Sequence, residues 1–306
     1  MEKLIDGCMR DLLTSVGGYD LAMTEFLRIT TVVHPRKKFR RICPEIESHC
    51  LTSAGTPVVL QLLGGVPEAM AANAAKAIKL GVKGIDVNFG CPSKSVNSKG
   101  AGAALLKEPH TLYKIMKAIR DAIPEEVELS AKIRLGYDDM SLIFENVAAI
   151  EEGGADFITI HARTKADGYT RPARWESLAK IREVSHIPVV ANGDINSVED
   201  YIKCAKISGC EDVMLGRGAV ANPGLAREIK LALAGDLPKQ LEWHEVYSLL
   251  MNMLETRRET HNDMQIAMRF KQWLVYLKNE YKEAEHCFNT VRHINEYSKM
   301  ESLIKN

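Results

Sequence analysis

The chain has 306 residues, of which 46% are hydrophobic and 26% charged, proportions typical of a soluble globular protein. Its 40 basic and 40 acidic residues balance, so a nucleic-acid or membrane partner would require a local patch. We expect no secretory signal and no membrane-spanning helix, because no apolar run is long enough. The seven cysteines lack C-x-x-C pairs, which argues against disulfides and a metal site and indicates a reducing, cytoplasmic setting.

Seven segments are predicted to be β-strands from their short apolar runs and flanking glycines. They are residues 20–26, 57–63, 85–88, 128–135, 156–161, 187–191 and 212–215. Helices are predicted between them from apolar residues at helical spacing. They are residues 4–13, 69–80, 109–123, 141–152, 175–184 and 198–208. The basic segment 30–41 is interpreted as a solvated loop.

Alternating strands and helices predict a parallel sheet, and the glycine-bearing loops after the last two strands are typical of a TIM barrel. The predicted fold is therefore α/β, a (β/α)8 TIM barrel. Because only seven strands are found, we expect the first strand to lie upstream of Met1. Four further helices, at 243–258, 265–278, 282–291 and 293–303, predict a C-terminal helical-bundle domain. The predicted domains are residues 1–235 and 236–306.

The segment 84–106 carries a cysteine directly after a predicted strand. Cys91 follows the strand that ends near Asn88, and Pro92 prevents further strand pairing. A thiol at the carboxyl end of a barrel strand, beside a polar loop, is where α/β enzymes place catalytic residues. A buried structural cysteine is the alternative, because free cysteine is among the most buried residue types.

Polar residues stand at the ends of most predicted strands. They are Gln61, Asn88, Cys91, Lys132, Arg134, His161, Asn192, Asp194 and Arg217. Burying so many polar groups without partners is costly, and a phosphate-bearing cofactor would account for them. The backbone N–H groups of Gly193, Gly216 and Arg217 are suited to the phosphate, with charge added by His161 and Arg217.

In this interpretation Lys132 lies near the cofactor ring and Cys91 faces that ring across the substrate space. A thiol with a reference pKa of about 8.5 is mostly protonated at neutral pH, which suits a general acid better than a nucleophile. No base with an orienting partner adjoins Cys91 in the sequence, so a protease-like triad is disfavoured.

Five motifs carry a family resemblance: NFGCPSK from Asn88, KIRLG from Lys132, HART from His161, ANGDI from Ala191 and MLGRG from Met214. Together they resemble the tRNA-dihydrouridine synthases over essentially the whole chain. The loop after Cys91 and the tail from Arg269 are similar to the bacterial C-type branch, which reduces the uridine at position 16 in the tRNA D-loop.

The resemblance implies an FMN enzyme that uses NADPH or NADH, with Cys91 as the proton donor to uracil C5. The FMN-binding positions that it implies are Gln61, Lys132, His161, Asn192, Gly193, Asp194, Gly216 and Arg217. Asp194 stands where this branch commonly has glutamate. The tRNA-binding positions that it implies are Arg28, Asn88, Tyr169, Lys271, Trp273, Lys278 and Arg292. For Trp273 a place in the helical core is the alternative. A monomer without a metal is expected.

Two other functions stay open at this point. The family begins with a strand ending in Ala-Pro-Met, which contributes backbone to the flavin site, whereas this chain starts at Met1 inside that motif. A non-catalytic tRNA-binding protein is therefore one alternative. An FMN barrel that reduces a small pyrimidine is the other, and the basic helical tail argues against it.

Overall fold

The structure, a computed structural model, describes residues 4–258 and 261–304. Its parallel strands alternate with helices, which confirms the predicted α/β class. The strands are β1 (Ala22–Met23), β2 (Leu27–Arg28), β3 (Val58–Leu63), β4 (Gly84–Asn88), β5 (Glu128–Arg134), β6 (Phe157–His161), β7 (Val189–Asn192) and β8 (Val213–Met214).

Neighbouring strands pair in parallel in the order β1–β3–β4–β5–β6–β7–β8, as in a (β/α)8 barrel. Strands β1 and β2 share one position, because β1 pairs with Val58 and Val59 and β2 with Leu62 and Leu63. Between them the hydroxyl of Thr24 accepts a hydrogen bond from the Gln61 N–H at 3.0 Å. Within residues 4–258 and 261–304, no pairing joins β8 to β1 or β2.

The helices of the barrel region are α1 (Gly7–Val16), α2 (Arg36–Ile42), α3 (Pro67–Lys79), α4 (Lys94–Asn97), α5 (Pro109–Ala122), α6 (Ile143–Glu152), α7 (Trp175–Val184) and α8 (Val198–Ser208). Two 3-10 helices, Pro44–Ser48 and Gly102–Lys107, accompany them. The later helices are α9 (Arg217–Ala221), α10 (Leu225–Leu233), α11 (Trp243–Arg258), α12 (Asp263–Leu277), α13 (Lys282–Val291) and α14 (Tyr297–Ile304).

The prediction of a loop over the whole basic segment was wrong, because its second half forms helix α2. The side chain of Phe39 is fully buried and anchors the helix to the protein. Pro35 directly precedes the helix, where its fixed φ is compatible with a helix start. A single buried aromatic residue therefore makes a helix of a segment whose charges suggested solvent on all sides.

The chain divides into two compact units. The first contains the sheet and comprises Met1–Gly7, Asp20–Ile195 and Glu199–Met214. The second is helical and comprises Cys8–Tyr19, Asn196–Val198 and Leu215–Asn306. Within the second unit, Phe270, Leu274 and Leu277 on α12 are fully buried. Helix α12 begins two residues before the predicted position because Asn262 forms a capping box with Gln265.

Candidate active site

One face of the sheet carries nine polar side chains. Paired residues of parallel strands point to the same face, and residues two apart in one strand do so as well. By this register the polar residues are Gln61, Asp86, Asn88, Ser130, Lys132, Arg134, Thr159, His161 and Asn192. The opposite face is apolar, with Leu60, Leu62, Ile85, Val87, Leu129, Ala131, Ile133, Ile158 and Ile160. The polar face is therefore suited to binding a ligand, whereas the apolar face is suited to packing against other parts of the protein.

A chain of hydrogen bonds runs along this face from a buried carboxylate. Asp86 is fully buried and accepts from the Ser130 hydroxyl at 2.8 Å and the Gln61 amide at 2.8 Å. The Gln61 carbonyl oxygen accepts from the Asn88 amide at 2.7 Å, and the Asn88 oxygen accepts from the Gly90 N–H at 3.0 Å. Burial raises the pKa of Asp86, and these hydrogen bonds oppose that shift.

Lys132 lies one layer above Asp86 on the same face. Its Nζ donates to the Asn192 side-chain oxygen at 2.7 Å, and the Asn192 amide nitrogen donates to the Met214 carbonyl at 2.7 Å. The second bond orients the amide so that its oxygen faces the lysine. Burial lowers the pKa of Lys132 to about 8, although the nearby charge of Asp86 opposes this shift. Lys132 is therefore a cation whose charge is sensitive to pH near neutrality.

The loop after β7 is held against His161. The Asp194 carboxylate accepts from the Arg163 guanidinium at 2.5 Å and the Ala173 N–H at 2.9 Å. A second nitrogen of Arg163 lies 3.4 Å from Nε2 of His161. Gly193 has a φ of +117°, and a Cβ there would lie only 2.9 Å from the His161 ring. Glycine is therefore required at this position, and it leaves the backbone accessible beside the histidine.

Cys91 follows β4 at the start of a tightly folded loop. Its carbonyl accepts from the Asn97 amide at 2.9 Å and the Ala103 N–H at 3.1 Å, which closes the loop on itself. Nε of Arg134 donates to the carbonyl of Gly90, the residue before Cys91, at 2.8 Å. The half-buried Cys91 side chain packs on a small apolar cluster with Phe26. That cluster is Leu63, Val96 and Ala101.

Besides Asn88, two residues predicted to bind tRNA lie in the sheet-containing unit, Arg28 and Tyr169. The exposed ring of Tyr169 lies 6.1 Å from the His161 ring, and the Arg134 guanidinium lies 5.8 Å from its centroid. The Arg28 guanidinium donates to the Ser95 carbonyl, in the Cys91 loop, at 2.8 Å. These contacts place an exposed aromatic ring beside the polar face and tie a strand-end arginine to the cysteine loop.

The remaining predicted cofactor and tRNA residues belong to the helical unit. Gly216 precedes the short helix α9, and the exposed Arg217 is its first residue. Nζ of Lys271 donates to the Ile294 carbonyl at 2.8 Å and to the Asn295 side chain at 2.9 Å, so this lysine fastens the chain after α13. Exposed Lys278 lies over the Phe288 ring at 5.2 Å, and Arg292 is exposed at the end of α13.

Trp273 lies in the helical core, as the alternative to a tRNA contact predicted. Its side chain is 1% exposed, and Nε1 donates to the Val220 carbonyl at 3.0 Å. A ring with so little exposed surface is not available to stack on a base, so the predicted tRNA contact of Trp273 is corrected. The periodic apolar face of α12 was the sequence signal for this core position.

We expect Trp273→Phe to lower the free energy of unfolding by about 1–3 kcal/mol, because the buried Val220 carbonyl loses its donor. Loss of helical circular dichroism in urea measures this change. Val275→Ala, at a 41% exposed position of the same helix, is the matched control and should change stability by less than about 0.5 kcal/mol. A Trp273→Phe variant with wild-type stability but weaker tRNA binding would instead support the prediction that Trp273 contacts tRNA.

Four residues of this arrangement were absent from the sequence-based candidates: Asp86, Ser130, Thr159 and Arg163. Asp86 is a lone carboxylate in an otherwise apolar strand, a signal that could have been used. Arg163 stands in the HART motif, but its partner Asp194 lies 31 positions later and only the fold shows the pair. In the part of the chain that the structure describes, no group of three His, Cys, Asp or Glu side chains is placed to hold a metal. No helix among those residues has the length and apolar character needed to cross a membrane.

Comparison with known proteins relates the whole chain to one family. Residues 1–305 match the family described as dihydrouridine synthase (Dus). A tRNA-dihydrouridine(16) synthase of Neisseria meningitidis serogroup B is 45% identical over 306 residues, covering 99% of this chain and 92% of that protein. A protein of the same name from Shewanella oneidensis is 44% identical over 292 residues, covering 95% of this chain and 91% of its own.

Among solved structures, an old yellow enzyme homologue from Zymomonas mobilis aligns with a TM-score of 0.52 at 13% identity. The alignment covers 78% of this chain and 86% of that one. At such low identity the likeness concerns the fold, and it agrees with the barrel order of the strands. The family match extends over nearly every residue, including the five motifs that carry the resemblance. The chain belongs to the dihydrouridine synthase family.

Proposed function

We propose that this protein is a flavin-dependent tRNA-dihydrouridine synthase that reduces the uridine at position 16 of the D-loop with NADPH and FMN. Relatives at 44–45% identity are named tRNA-dihydrouridine(16) synthases, which supports the substrate. The observation that carries the proposal is the polar sheet face, with Lys132 and His161 on the strands and Cys91 at the end of one of them.

The residues of this face suit a flavin. Thr159 lies on it between Lys132 and Val190, and its buried hydroxyl has no hydrogen-bond partner among the residues that the structure describes. Because buried polar groups nearly always have a hydrogen-bond partner, this hydroxyl, beside a lysine and a histidine, is suited to bind a polar ligand. We assign FMN binding to the eight residues that the family resemblance indicates. They are Gln61, Lys132, His161, Asn192, Gly193, Asp194, Gly216 and Arg217.

When bound, a reduced flavin would supply the hydride for C6 of uracil. Cys91 then has the role of holding a proton on Sγ for delivery to C5, and its apolar neighbours limit exchange with water. The two carbonyl contacts of the loop fix the Cys91 backbone, which positions the thiol before substrate arrives. Arg134 adds to this by fixing Gly90.

A uracil inside folded tRNA reaches such a site only after it leaves its stack, which costs energy that protein contacts must offset. Tyr169 offers an exposed ring on which a base can stack. We assign backbone or base contacts to the six candidates of the resemblance other than the buried Trp273. The set is Arg28, Asn88, Tyr169, Lys271, Lys278 and Arg292.

We expect the affinity of flavin-free protein for FMN to fall above pH 8, the value to which burial lowers the pKa of Lys132. The ammonium form predominates below that pH and is lost above it, so affinity should fall by up to about tenfold per pH unit. Flavin fluorescence quenching between pH 6.5 and 9 measures this. Lys132→Met should bind weakly with no inflection; the same inflection in that variant would assign the titration to another group.

The direct test of the function uses an unmodified tRNA transcript with U16 and a matched transcript carrying C16. With NADPH, the purified yellow protein should convert one uridine of the first transcript and none of the second. Mapping by primer extension after alkaline treatment locates the product. Activity on free uridine, or a colourless protein with normal activity, would contradict the proposal.

A further inference from the structure

Helix α2 carries the strongest concentration of positive charge on any one element of the sheet-containing unit. Its seven residues include five bases and no acid. At 100° per residue, Arg36, Lys37, Arg40 and Arg41 fall within one arc, whereas Phe39 lies on the opposite side and is fully buried. The helix therefore directs a compact cationic face to solvent in a protein whose net charge is zero.

Among the residues that the structure describes, these cations have almost no acidic partners. Arg40 pairs with Glu47, and both side chains are partly exposed. Across residues 4–258 and 261–304, no ion pair joins Arg36, Lys37 or Arg41 to an acid. Arg36 and Arg40, like Lys37 and Arg41, stand four positions apart, where like charges repel and destabilise a helix. A polyanion bound along this face would remove that repulsion.

The segment that leads into helix α2 is hydrogen-bonded to the end of strand β2 and to helix α3. The His34 ring contacts the carbonyl of Arg28, the last residue of β2, at 2.7 Å. The His34 N–H donates to buried Asn73 at 2.9 Å, and the Asn73 amide donates to the Val32 carbonyl at 3.0 Å. The segment that leads into α2 is thus held at Val32 and His34, two to four residues before the helix begins.

We propose that the cationic face of α2, formed by Arg36, Lys37, Arg40 and Arg41, is a docking surface for the phosphate backbone of tRNA. The inference rests on the proposed function and adds an element that the family resemblance did not assign. A lipid surface fits less well, because the two apolar side chains of the helix lie away from the cationic face: Phe39 is buried and Ile42 is half-buried. Phosphates of a folded RNA match an arc of guanidinium and ammonium groups without requiring apolar contact.

The test compares two triple variants of the full chain. Arg36→Gln/Lys37→Gln/Arg41→Gln neutralises the docking surface, and Lys180→Gln/Lys203→Gln/Lys206→Gln removes the same charge from exposed positions on α7 and α8. At about 100 mM salt the first should weaken tRNA binding at least tenfold and reduce the slope of log Kd against log salt by about two. The control should change Kd by less than twofold, and both should keep kcat at saturating tRNA.

Thermal unfolding should show the first variant to be at least as stable as the wild type, because it loses like-charge repulsion. Equal losses of affinity in both triples, or wild-type affinity and slope in the first, would overturn the docking surface. Wild-type tRNA affinity in the first variant, together with lost binding to phosphatidylserine vesicles, would assign the face to membranes instead. If the unaltered protein neither binds nor modifies tRNA, the proposed function itself fails.

Discussion

Replacing Cys91 with alanine is expected to lower the rate of uridine reduction by about 10²–10⁴-fold, the contribution of a well-placed general acid. Flavin content should stay at the wild-type level, because Cys91 stands in the loop beyond β4 and is not among the residues assigned to the cofactor. Single-turnover reduction of tRNA by pre-reduced enzyme measures the chemical step without interference from NADPH oxidation.

Cys287→Ala is the matched control, because Cys287 is the half-buried cysteine of α13, in the helical unit. It should keep the wild-type rate. Cys91→Ser retains a hydroxyl proton but is a weaker acid than the thiol. Its rate of uridine reduction should therefore lie between those of the wild type and Cys91→Ala. Near-normal single-turnover rates in Cys91→Ala with normal tRNA affinity would remove the thiol from the chemistry and return Cys91 to the structural alternative.

The strand positions of the fold were predictable because each strand is a short apolar run that ends at a polar or glycine residue. This pattern located β3 to β8 to within two residues. The interruption between β1 and β2 was not predictable, since it depends on the hydroxyl of Thr24 replacing a backbone acceptor for Gln61. Helix α2 was missed for a similar reason: only the packing of Phe39 distinguishes it from a solvated loop.

The candidate site was predictable as a set of strand ends, but not as a network. Alternation along β5 places Lys132 and Arg134 on one face, and sequence alone gives that relation. The contact of Lys132 with Asn192 spans 60 positions, and the contact of Arg163 with Asp194 spans 31. Such contacts depend on the register of neighbouring strands and on the loop after β7, which a pattern of residues does not contain.

Asp86→Leu should be the most damaging single change to the sheet face. It leaves the Gln61 amide and the Ser130 hydroxyl buried without their acceptor, at a cost of about 1–3 kcal/mol each. The Gln61 amide also loses the bond that sets its orientation toward Asn88. We therefore expect a lower free energy of unfolding and weaker FMN binding, measured by urea denaturation and by fluorescence titration.

Asp86→Asn is the matched control. Its side-chain oxygen can accept from Gln61 while its amide donates to the Ser130 hydroxyl, which accepts as well as donates, so the chain of hydrogen bonds is kept. Because burial raises the pKa of Asp86, the folded state binds the proton more readily than the unfolded chain. The stability that the carboxyl contributes is then lost as pH rises through its folded pKa.

The stability of Asp86→Asn relative to the wild type should therefore improve as pH rises from about 4 toward neutrality. Retained FMN binding in Asp86→Asn and its loss in Asp86→Leu would show that hydrogen-bond acceptance, rather than negative charge, is what the site needs from this residue. Equal loss of FMN in both variants would instead point to the charge that Asp86 places near Lys132. Wild-type stability in Asp86→Leu would mean that Gln61 and Ser130 do not depend on Asp86 as their acceptor, contrary to this prediction.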